Sequence, residues 1–140
     1  MKKSIKIIVP LILLLIFVGA FLYFDEFNDN MNYSFKNTTD SKYISLKENG
    51  WIPSIIPDDA TNIEIFYNID TNIVNGKFKL ENENSLNNFK SLLSLSENKN
   101  FNFLNKNYKD EISKIVNENP TFKYEDFYFI FNNNEIYFIK

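Results

Sequence analysis

The chain has 140 residues, 44% of them hydrophobic, with no cysteine, no histidine and a formal net charge of −3. Disulfides, thiolate nucleophiles, Ser-His-Asp triads and histidine metal sites are therefore excluded, and packing alone has to hold the fold. All 15 basic residues are lysines, and setting aside the three that lead the chain takes the charge to −6, so nucleic acid is not an expected partner.

Residues 7–24 carry no charge and are apolar all round. A helix of that length spans roughly 27 Å, close to the hydrocarbon thickness of a bilayer. Lys2, Lys3 and Lys6 precede it and Asp25, Glu26 and Asp29 follow. This asymmetry predicts a signal anchor over residues 1–24: a single-pass protein of the cell membrane, held by contact with lipid, with its N-terminus cytoplasmic and the rest extracytoplasmic. Val18-Gly19-Ala20 leaves open an exported form cleaved after Ala20, although the apolar run continues through Phe21, Leu22, Tyr23 and Phe24.

Residues 25–42 are polar without either period and read as a linker, leaving 43–140 for one extracytoplasmic domain. Asn32-Tyr33-Ser34 and Asn37-Thr38-Thr39 match the glycosylation pattern, as chance would produce in so Asn-rich a chain. Tyr43 to Leu46 begin a short helix or strand, and Gly50 suits a left-handed helix end. Pro53 and Pro57, four apart, then impose a kinked path that plugs one end of the core.

A strand is predicted over 62–69, with Ile63, Ile65, Tyr67 and Ile69 opposite Glu64, Phe66 and Asn68. After the turn Asp70-Thr71-Asn72 a second strand over 74–81 completes a hairpin. Trp51, Pro53 and Pro57, then Ala60-Thr61 and Ile63, then Asp70-Thr71-Asn72 resemble a Trp-x-Pro…Pro-x-x-Ala-Thr-x-Ile…Asp-Thr-Asn pattern of small bacterial membrane-anchored or exported envelope proteins. The resemblance covers about residues 50–80 and implies no activity. Some such proteins carry a lipid-attachment cysteine, which this chain lacks.

Two helices follow, one from Asn84 with Leu86, Phe89, Leu92 and Leu93 on a face, the other from Tyr108 with Ile112, Ile115 and Val116. A last hairpin over 122–131 and 135–140 turns at Asn132-Asn133-Asn134. The expected fold is thus α+β: an N-terminal transmembrane helix, then a small antiparallel sheet of about four strands with two helices packed on one face. Its other face would stay open, and Phe66, Tyr128, Ile130, Tyr137 and Ile139 would form an apolar patch there; Trp51 is expected first to cover the core end, with a partner anchor as its functional alternative.

No catalytic, cofactor or metal site is expected. Asn68, Asp70 and Asn72 have the spacing of a calcium loop, but Ile73 and Lys79 stand where it needs glycine and a bidentate carboxylate. Asp58-Asp59 and Glu125-Asp126 are adjacent acids that point apart, and Ser96 with Lys99 lacks the companion motifs of penicillin-recognising enzymes. The expected function is a non-catalytic domain that binds an envelope protein outside the membrane. The alternatives are an enzyme using carboxylates only, with Glu64 meeting Glu125, or a structural subunit of a membrane assembly.

Overall fold

Alternating apolar and polar residues give this chain seven strands. The computed structural model describes residues 12–20 and 30–140. The helices are α1 (residues 12–20), α2 (Ser41–Glu48), α3 (Glu83–Ser91) and α4 (Lys106–Ile115). The strands are β1 (Asn30–Asn37), β2 (Thr61–Asn68), β3 (Ile73–Lys79), β4 (Ser94–Ser96), β5 (Thr121–Tyr124), β6 (Phe127–Asn132) and β7 (Glu135–Ile139). They form one antiparallel sheet in the order β1-β2-β3-β7-β6-β5-β4, so the two hairpins expected from the sequence meet along β3 and β7.

On one face, Phe35, Ile63, Ile65, Val74, Phe78, Phe129, Ile136 and Phe138 are buried beneath α2, the proline loop and α3. Asp40 caps α2, its carboxylate accepting from the Lys42 amide at 2.8 Å. Gly50, at φ 77°, ends the helix: its amide donates to the Lys47 carbonyl and the Trp51 amide to Leu46. Those bonds turn the chain back so that Ile52 and Ile56, beside the two prolines, enter the core. Asn82 caps α3, which sets Phe89 edge-on against Phe78 and Phe129. Gly76 lies opposite Phe138, whose ring fills the space a Cβ would take.

On the other face, α4 lays Tyr108, Ile112 and Val116 over Ile130, Tyr137 and Ile139. The segment 97–105 extends this cover with Phe101 and Phe103. Asn75, fully buried on β3, holds that segment down: its Nδ2 donates to the Asn102 carbonyl at 3.0 Å and its Oδ1 accepts from the Leu104 amide at 2.8 Å. A buried polar side chain satisfied in this way fixes one placement of the segment.

The sheet has seven strands, not about four, and helices cover both of its faces rather than one. The two-sided apolarity of β6 and β7 therefore marks central strands. Residues 30–37 within the polar stretch form β1, because pairing with β2 needs only one apolar face, supplied by Met31, Tyr33 and Phe35. The last segment holds two tight turns rather than one, since Glu125 and Asn133 both adopt left-handed backbone, at φ 52° and 57°. The expected transmembrane helix is corrected too: among the described residues, no helix is long and apolar enough to cross a membrane. Within 1–24 the structure describes residues 12–20, which are helical; the rest of that expectation lies outside the described residues.

Candidate functional site

Of the six residues expected at an interaction surface, Ile130, Tyr137 and Ile139 are 0%, 3% and 1% exposed. Phe66 and Tyr128 are half-buried, packed against Tyr108 and Phe101 respectively. These five belong to the layer under α4 and segment 97–105. The patch the sequence suggested is an interior, because two helical faces were available to cover two sheet faces.

Trp51 stands apart from them. It is half-buried on the opposite face and stacks on Tyr67 with ring centres 4.6 Å apart. Tyr67 in turn stacks on Tyr33 of the edge strand at 6.2 Å, and the Lys42 ammonium lies 5.0 Å from the centre of the Tyr33 ring. Burial, and then Tyr33 beside it, raise the Tyr67 phenol above its ordinary pKa. This aromatic row runs from the core to the outer edge of β1. Tyr33 is half-buried there, between exposed Asn32 and Ser34.

A groove of about 690 Å³ opens one residue beyond β1, between α2 and the end of the proline loop. Thr38, Tyr43, Ile44, Lys47, Ser54 and Asp58 are among its lining residues. Thr38 Oγ1 donates to the Asp58 carbonyl at 2.6 Å and Lys47 Nζ to the Ile56 carbonyl at 3.0 Å, so two side chains close the groove's inner wall. The Tyr43 hydroxyl has no hydrogen-bond partner among the described residues. Burial, with a further push from the Asp58 charge, raises its pKa and keeps it protonated. The groove's surface is mainly apolar, with Ile44 exposed and Lys47, Glu48 and Asp58 bringing charges of both signs.

A second polar cluster lies on the other face. Tyr137 Oη is 2.8 Å from Glu135 Oε2 and 3.1 Å from Glu111 Oε2. Lys77 Nζ pairs with both carboxylates, at 3.7 and 3.5 Å. These contacts tie α4 to the sheet, and each acid is engaged with a lysine or phenol rather than facing an open cleft. The acids expected to meet, Glu64 and Glu125, do not: one is on β2 and the other in the β5–β6 turn, about 14 Å apart at the least with two strands between. Asn68, Asp70 and Asn72 make a plain turn, in which Asn68 Oδ1 accepts from the Thr71 amide and hydroxyl.

Sequence reasoning missed Tyr33, Lys42 and the groove residues. The signal was present in Met31, Tyr33 and Phe35 alternating with Asn30, Asn32, Ser34 and Lys36, but the asparagines made the segment resemble a linker.

The molecule is a small α+β domain, one antiparallel sheet between two helical layers, with its aromatic edge and groove at the β1 flank. Residues 29–79, which contain that flank, match the family model described as the YbbD head domain. No curated protein and no solved structure matches the chain.

Proposed function

We propose that this chain is a non-catalytic protein-binding domain, displayed at the outer face of a bacterial envelope to which its leading apolar run directs it. One observation carries the reading: the groove at 38–58 and the stacked row Trp51–Tyr67–Tyr33, buried at Tyr67 and half-buried at its two ends, lie together at the β1 flank, within the segment similar to the head domain. Aromatics that are stacked in place, with part of their surface in water, lose little entropy when a partner covers them. The lysines before and acids after residues 7–24 support delivery of the domain to the outside. The envelope-protein resemblance over residues 50–80 points the same way.

The test is a photo-crosslinking residue at exposed Ile44 of the full chain in intact cells. The expected result is a discrete protein adduct that weakens in Trp51→Ala, while Tyr128→Ser leaves it unchanged in a folded chain. Absence of any protein adduct, or labelling of exposed Lys99 only by a reagent delivered to the cytosol, would sink the reading.

A further inference from the structure

Two of the three glycines in the chain follow an asparagine, at Asn49-Gly50 and Asn75-Gly76. Glycine has no side chain to keep its amide nitrogen from the preceding residue, so ring closure onto an asparagine side chain is least hindered in this dipeptide. The two copies sit in opposite surroundings.

Asn75 is fully buried on β3, which is paired on both sides, by β2 and by β7. Its carboxamide is fixed at both ends: Nδ2 donates to the Val74 and Asn102 carbonyls at 2.9 and 3.0 Å, and Oδ1 accepts from the Leu104 amide at 2.8 Å. The ring of Phe138 lies over Gly76. Neither the carboxamide nor the Gly76 nitrogen can turn toward the other without unmaking the centre of the sheet.

Asn49 and Gly50 are exposed, at the end of an eight-residue helix. The reacting groups are held apart there by hydrogen bonds: Asn49 Nδ2 donates to the Ser45 carbonyl at 2.8 Å, and the Gly50 amide to the Lys47 carbonyl at 3.1 Å. With Asn49 at ψ 2° the Gly50 nitrogen is also rotated away from the Asn49 side chain. Both restraints lie at the surface, and nothing stands within 4 Å of the place a Gly50 Cβ would take. The last turn of a short helix opens far more often than a central strand.

We infer that Asn49 is a site of spontaneous deamidation, and that its conversion releases Trp51 from its stack on Tyr67. The Gly50 nitrogen, giving up its proton to water or hydroxide, attacks Asn49 Cγ. The N–Cγ bond forms, the Cγ–Nδ2 bond breaks, and Nδ2 leaves as ammonia with a proton returned from the solvent. Water then opens the cyclic imide at either carbonyl, giving aspartate or isoaspartate and one more negative charge on the chain.

Both products disturb the same end. The new carboxylate stands beside Glu48 at the negative pole of α2 and has no proton to donate to Ser45. In isoaspartate the main chain runs through the side chain and is one methylene longer. The left-handed turn at Gly50 and the bond from the Trp51 amide to Leu46, which aim the indole at Tyr67, then lose their register. This chemistry needs no partner and does not rest on the protein-binding reading.

The test holds the full chain, in nonionic detergent and mildly alkaline buffer, both folded and in concentrated guanidinium chloride, with samples taken over time. Cleavage at lysine leaves both asparagines in one peptide, residues 48–77, so fragmentation in a mass spectrometer reads the two sites in the same molecules. In the folded chain Asn49 is expected to convert about tenfold faster than Asn75 or more, as opening of a helix end against unfolding of the whole domain would give. In denaturant the two rates should converge. Emission from Trp51, the sole tryptophan, should shift with the time course of Asn49, and Asn49→Gln should abolish that shift while leaving the starting spectrum unchanged. Equal rates in the folded chain, or conversion of Asn49 in denaturant alone, would overturn the site. Conversion with the emission unchanged would overturn the release of Trp51.

Discussion

Seventeen buried residues form the cluster under α2, the proline loop and α3, whereas six form the one under α4, counted among the described residues. The first layer is held by shape: Phe89 alone meets Phe78, Phe129 and Phe131. The second relies on directed polar contacts, Asn75 gripping segment 97–105 and Tyr137 with Lys77 gripping Glu111. A small apolar cluster leaves placement underdetermined, and hydrogen bonds with fixed geometry supply the missing specificity. The β1 flank continues the first layer through the buried Tyr67 but ends in Trp51 and Tyr33, which are stacked on it and only half-buried.

The contrast breaks most visibly at Phe89. Truncation to alanine should cost about 3–5 kcal/mol by opening a cavity between α3 and the sheet, read as a lower denaturant midpoint for the whole domain. Asn75→Leu should cost about 2 kcal/mol, because the Asn102 carbonyl and Leu104 amide each lose a partner. Its signature is different: cleavage near Lys99 by a lysine-directed protease should accelerate well before the sheet unfolds.

Alkaline pH sharpens the comparison further. Burial first, then the charges of Glu64 and Glu111, raise the Tyr108 phenol above its ordinary 10.0, and burial with Glu135 does the same for Tyr137. A raised phenol keeps its stabilising neutral form below the unfolded value, so that contribution is complete below about pH 10 and drains as pH rises above it. Denaturant midpoints should therefore fall between pH 9 and 11, and Tyr108→Phe should flatten the fall. At neutral pH the same variant should change stability by less than about 1 kcal/mol, since its hydroxyl has no partner among the described residues. The smallest effect is expected at Glu125, exposed at φ 52°, where glycine should stabilise by about 0.5–1 kcal/mol and raise the melting temperature slightly.

Local chemistry alone was enough to identify several elements. Ile63, Ile65 and Tyr67 alternate onto one face as their spacing required, Gly50 ends α2, and Tyr108, Ile112 and Val116 share the buried face of α4. Each depends on neighbours within a turn or a strand, where period and backbone preference operate. Long-range pairing was not legible in this way. That β3 joins β7, that residues 30–37 add an edge, and that α4 covers Ile130, Tyr137 and Ile139 all follow from which surfaces remain to be buried once the hairpins meet. An apolar side chain reports that it will be covered, but the covering element lies tens of residues away. Only the assembled sheet decides whether such a residue is core, like Tyr137, or a half-exposed rung, like Trp51.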